Sequence, residues 1–257
     1  MDESRFRQLW EEAERLAQSN DDDDNVRAVE IWEELIRDFP PSGMDISGEP
    51  KLKMLSDMYC NLAQCCGLMA FLPEFARKSC ENALTALRLG LEAGHPGRQS
   101  KALAELKSAG RIAADVHIHE QARVLGERGT SFDLAKVKAH TLAVWKATAN
   151  GELSAFSDAT PDAPLLVPLS SVHLDWAYSC LRCTAPQLPA KMDDFLAMGY
   201  GDKWDLIRQA QPSEDDDFLT LAYFNAKRAR QLAQAAGDEA GAQAAGNLFL
   251  IIDEMTD

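Results

Sequence analysis

Apolar residues recur three and four positions apart from the start of the chain. Phe6, Leu9, Trp10, Ala13, Leu16 and Ala17 fall on one side of a helix, because a 3.6-residue turn brings such positions onto a common face. Four aspartates, Asp21 to Asp24, interrupt the pattern, and Val26, Ala28, Val29, Trp32, Leu35 and Ile36 resume it until Phe39-Pro40-Pro41 stops it. Two one-sided helices joined by a short polar link predict a helical hairpin. The aspartates read as a solvated loop that brings negative charge to the start of the second helix. They lack the alternating ligands and the glycine of a calcium loop.

The same punctuation continues. A glycine and proline loop from Pro41 to Pro50 precedes helices over Leu52 to Ala70 and Pro73 to Ala93, which end at Gly94-His95-Pro96. A third pair covers Lys101 to Arg128 and Phe132 to Ala149 and closes at Asn150-Gly151. Pro161, Pro164, Pro168, Pro186, Pro189 and Pro212 then cut the chain into shorter pieces, with helices near Ser170 to Cys183 and Lys191 to Leu196. A last pair runs over Asp216 to Ala236 and Glu239 to Met255 around Gly237-Asp238. The expected organisation is three-part: helical hairpins over 1–154, an irregular proline-rich helical segment over 155–212, and a C-terminal hairpin over 213–257.

Composition narrows the class further. The 46% hydrophobic content is that of a folded chain, and frequent alanine with few glycines and prolines favours helix over sheet. The net charge of -15 repels a phosphate backbone or an anionic lipid surface, so neither a nucleic acid nor a membrane is the expected partner. The start of the chain shows no basic, apolar export signal. No apolar run is long enough to span a bilayer. The six cysteines, Cys60, Cys65, Cys66, Cys80, Cys180 and Cys183, sit on helical stretches, which predicts reduced, buried thiols and a cytoplasmic location.

A helix pair cannot bury its apolar face alone, so recurrence of one pair pattern implies stacking of neighbours. The spacings do recur. Tyr59, Leu62, Ala63 and Cys66 are followed by Ala76, Cys80 and Ala83, and Ala109, Ile112, Ala113 and Val116 by Ala135, Ala139 and Leu142. Phe6, Leu9, Trp10 and Ala13 are followed by Ala28, Trp32 and Leu35 with Pro40 beyond. Ala222, Ala226 and Ala229 read as a second helix before Ala245, Leu248, Phe249 and Ile252. These positions resemble the tetratricopeptide repeat family. The resemblance implies an all-α fold, a solenoid of antiparallel helix pairs with an irregular proline-rich insert. Trp10 and Phe249 stand where the family prefers small residues, and its period of roughly 34 residues is not kept.

Motifs for chemistry are sparse. Cys180-x-x-Cys183 with His173 upstream is half of a zinc or redox site, without the second pair that a tetrahedral set requires. His117 and His119 are two apart, point to different sides of a helix, and together read as surface and boundary residues. No nucleophile elbow, phosphate-cradling loop or zinc-protease motif occurs. The expectation is a noncatalytic protein with no catalytic residue, no metal ligand and no cofactor.

In the family, the first helix of each pair lines the binding surface. The resemblance therefore places partner-binding residues at Asn61 and Asn247, each just before the motif leucine, with Gln64 and Gln243 nearby. The lysines and arginines that clamp an acidic peptide terminus are missing from the sequence around Asn61 and Asn247. A basic or neutral protein or peptide is the expected ligand. The leading role is an adaptor, scaffold or dedicated chaperone. The alternatives are an acidic inhibitor or immunity-type protein that occludes a basic enzyme or toxin, and a small zinc or redox protein built on Cys180 and Cys183.

Overall fold

Helix starts follow from side chains that satisfy the first free backbone N–H groups. In the computed structural model, which describes residues 1–19, 21–210 and 216–254, α1 (Glu3–Leu16) begins with Asp2 accepting from the Arg5 N–H at 2.8 Å. In α2 (Asp22–Arg37) Asp21 accepts from the N–H groups of Asp23 and Asp24. The aspartate run is thus a cap and the first helical turn, a correction to the loop expected there. Carboxylates at that end meet the positive pole of the helix dipole. Helices α3 (Gly48–Leu68), α4 (Pro73–Glu92) and α5 (Pro96–Gly126) follow. Helix α6 (Ser131–Thr148) opens on a reciprocal pair in which Thr130 caps Asp133 and Asp133 caps Thr130.

Helix α7 (Leu166–Thr184) precedes two short helices, α8 (Met192–Ala197) and α9 (Tyr200–Ala210). Helices α10 (Asp217–Ala236) and α11 (Glu239–Asp253) are joined at Gly237, whose φ of 71° is the left-handed helix end that glycine adopts without strain. No strand occurs among the described residues, so the all-α class expected from the pattern is what the chain adopts. The expected stop at Pro212 and the helix end at Met255 lie outside the described residues.

The chain divides into two compact units, Met1–Ala109 and Gly110–Asp257. In the first, α1 and α2 run antiparallel, with Phe6 against Phe39 at 5.9 Å and Trp10 edge-on to Trp32 at 5.0 Å. Their core of Leu9, Ala13, Ala28, Ile31, Trp32 and Leu35 continues through Met58, Leu62, Cys65 and Cys66 of α3. Each large apolar side chain fully withdrawn from water there contributes roughly 1.5–3 kcal/mol. Helices α3 and α4 are also antiparallel: Ser56 donates to the Ala86 carbonyl, and Ser79 to the Ala63 carbonyl. By contrast α3 and the first half of α5 run parallel, since Asp57 meets Arg98 and Asn61 meets Lys101 further along both.

The second unit repeats this alternation. Helix α6 folds back on α5, bringing His117 to Thr141, and Gly110 between Trp145 and Trp176. Helix α7 runs parallel to α5, with Arg111 on Asp175 and, further along both, Asp115 on Arg182. Helix α10 returns antiparallel to α7: Ser170 donates to the Ala229 carbonyl, and His173 pairs with Asn225 at 2.9 Å.

Fifteen of the 19 residues of α7 are buried, so this helix is the centre of its unit. Residues 155–212, expected as an irregular segment apart from 213–257, therefore supply the principal partner of α10. Both boundaries expected at 154 and 212 fall inside the second compact unit. Pro161, Pro164, Pro168, Pro186 and Pro189, which break the periodicity, lie in the first turn of α7 or in the segments flanking it, and the all-round burial of this helix erases a one-sided pattern.

Candidate functional site

The four residues assigned to partner binding lie on two helices, one in each unit. Asn61 and Gln64 are on α3, Asn61 half-buried and Gln64 exposed, while Gln243 and Asn247 are both exposed on α11. Gln243 and Asn247 are four apart and share a helix face. The adjacent Leu62 and Leu248 are buried, which fixes which way each helix turns its polar side.

Asn61 is not a bare amide. The ammonium of Lys101 on α5 donates to its side-chain oxygen at 2.8 Å. One turn back, Arg98 donates to the Lys53 carbonyl at 3.1 Å and to Asp57 at 2.5 Å. Towards the end of α3, Glu105 approaches Gly67, where an added Cβ would lie 4.0 Å from its carboxylate. A band of two cations and an anion, Arg98, Lys101 and Glu105, therefore runs along α5, with Arg98 on Asp57 and Lys101 on Asn61. Burial holds the Glu105 carboxyl above its ordinary range, an effect that the nearby Lys101 opposes.

The cations thought to be missing around Asn61 are thus present, delivered by the next helix rather than by neighbouring sequence. The only local sign was the spacing of positions 98, 101 and 105, three and four apart. Beside Asn247 in the sequence, Gly246 faces Arg230 of α10, whose side chain lies 3.8 Å from a Cβ built on that glycine.

The other titratable residues resolve differently. His117 is 4% exposed, a correction to the surface and boundary positions expected of the two histidines, whereas His119 is exposed. Burial lowers the His117 imidazole to about 4 and does the same to His173, which is wholly enclosed. Both are neutral at pH 7.

Cys180 and Cys183 point into the α7 core, and burial pushes both thiols far up. Cys60 and Cys65 are pushed up to about 11, and Cys66 and Cys80 to about 12, by the same cause. Metal ligation and nucleophilic chemistry both require thiolate, which these surroundings resist. Among the described residues no three His, Cys, Asp or Glu side chains are grouped to hold a metal ion, and no helix is long and apolar enough to cross a membrane.

Comparison of the chain with protein-family models, with curated proteins and with solved structures gives no match.

Proposed function

We propose that the chain is a noncatalytic, tetratricopeptide-like interaction module of the cytoplasm, whose first-of-pair helices bind a protein or peptide. The observation that carries this reading is the alternation of packing direction: antiparallel within α3/α4, α5/α6 and α7/α10, parallel from α3 to α5 and from α5 to α7. That alternation is what stacked helical hairpins of a solenoid require, because each pair buries its free face on the next. On this reading α7 and α10 are one pair whose connection has grown to hold α8 and α9.

The binding surface centres on Asn61 and Gln64 in the first unit, extended by Lys101 and Glu105, and on Gln243 and Asn247 in the second. Polar groups with both signs of charge beside an amide suit a peptide backbone and its side chains. They do not suit a purely anionic tail. The net charge of -15 favours a basic or neutral partner. It equally supports a second reading, an inhibitor that covers a basic enzyme.

Affinity capture from native lysate, followed by titration of the captured protein with Asn61→Arg and Asn247→Arg, tests the surface. The expected result is at least a tenfold loss of affinity in one variant with unchanged thermal stability. Unchanged affinity in both overturns the placement. Activity assays on the captured protein separate the two roles: an enzyme silenced by binding identifies an inhibitor, and one left active identifies an adaptor.

A further inference from the structure

The second unit contains a cleft of about 310 Å³ lined by residues of α5, α6, α10 and the end of α7, among them His117, Lys138, Thr184, Asp216 and Phe218. A single water occupies about 30 Å³ of liquid, so the space admits a small organic group. The hydrogen bonds around it determine which atoms face it.

The Thr141 hydroxyl donates to the Val137 carbonyl at 3.0 Å, so towards His117 it acts as acceptor, and the Nδ1–H of His117 donates to it at 3.0 Å. The imidazole is neutral, which leaves Nε2 with an unshared pair. Nε2 has no partner among the described residues and is not one of the enclosed, unpartnered atoms, so it is open to the cleft that His117 lines. The Phe218 ring meets the imidazole edge-on, 4.7 Å between centres, and holds its plane.

Asp216 uses one carboxylate oxygen, Oδ1, to cap the N–H groups of Phe218 and Leu219, and its other oxygen has no partner among the described residues. The Thr184 hydroxyl is enclosed without a partner among the described residues. Lys138 pairs with Asp217 at 3.1 Å.

We infer that this cleft binds an alkylammonium group, with His117 Nε2 and the Asp216 carboxylate as acceptors and the apolar wall of α6 and Phe218 around its stem. An ammonium offers donors and no acceptor, which matches an open imidazole nitrogen and an open carboxylate oxygen, and leaves its third donor for water. The wall cation Lys138 is paired with Asp217, and the end of α7 adds the negative pole of a helix. An anion would meet Asp216 and a lone pair instead. The site stands independently of any partner on α3 or α11.

The test uses the full chain labelled with 15N and n-butylammonium as probe, followed through the His117 Nε2 resonance. A saturable shift is expected, with n-butanol, of the same shape but uncharged, binding at least tenfold more weakly. His117→Asn keeps a donor for Thr141 and removes Nε2. Asp216→Asn keeps the helix cap and removes the charge. Each is expected to weaken binding at least tenfold, read for His117→Asn through the amide resonances of α6. If His117→Asn does not fold, Asp216→Asn decides alone.

Absence of a saturable shift, equal binding of butanol, or unchanged affinity in Asp216→Asn overturns the assignment. N-acetyl-lysine-N-methylamide measured alongside identifies the source: tighter binding than butylammonium assigns the cleft to a lysine side chain of a protein, and weaker binding to a free amine.

Discussion

Lys101 and Asn61 meet at 2.8 Å across the parallel helices α5 and α3. The contact places a cation on an amide that has no clamping lysine or arginine beside it in the sequence. Because Lys101 is exposed, the bond contributes little to folding and much to the charge a partner would meet. The Lys101→Met variant is therefore expected to unfold within about 0.5 kcal/mol of the parent in urea, while affinity for a captured partner changes severalfold. A loss of stability well beyond that value shows that Lys101 holds the two helices together.

Gly110 of α5 packs directly against two tryptophan rings, from α6 and α7. A Cβ there would lie 2.5 Å from Trp176 and 2.9 Å from Trp145, both fully buried. Alanine favours helix by up to about 1 kcal/mol over glycine, but overpacking a filled core costs roughly 1–3 kcal/mol. Gly110→Ala is expected to lower the urea midpoint, with a changed near-ultraviolet signal from the displaced tryptophans. A raised midpoint shows that the rings have room to move.

The buried histidines set an acid limit. His117 and His173 are each lowered from 6.5 to about 4 in the folded chain, so the unfolded chain binds more protons between these values. Their stabilising effect is complete above pH 6.5 and is lost as pH falls towards 4, by on the order of 3 kcal/mol each. Protonated His173 would also carry an enclosed Nε2–H with no acceptor among the described residues. Urea melts across this window are expected to show stability falling with pH, and His173→Asn to flatten the slope. An unchanged slope in that variant assigns the acid sensitivity to other groups.

All six cysteines are buried and unpaired with one another. Ellman's reagent is expected to label none within minutes in native buffer and six after denaturation, since burial disfavours the reactive thiolate. Rapid labelling of Cys180 or Cys183 in the folded chain, or stoichiometric zinc lost in Cys180→Ala, revives the zinc or redox reading.

The sequence by itself determined the helices, because their signals are local. The cap at Thr130, the left-handed glycine at 237 and the stripes through Phe6–Leu16 and Val26–Ile36 each depend on residues within a turn or two. The burial of the six thiols was legible too, because each cysteine stands on a helical stretch among apolar residues.

What surrounds Asn61, where His117 lies and which helix pairs with α10 were decided only by tertiary structure. Lys101 reaches Asn61 through the parallel packing of α5, Phe218 covers His117 from a helix far along the chain, and α7 finds α10 across an intervening stretch of helices. The physical reason is that helix formation is governed by hydrogen bonds and side-chain neighbours three and four residues apart. The choice among apolar faces depends instead on shape and area that come into contact only after folding.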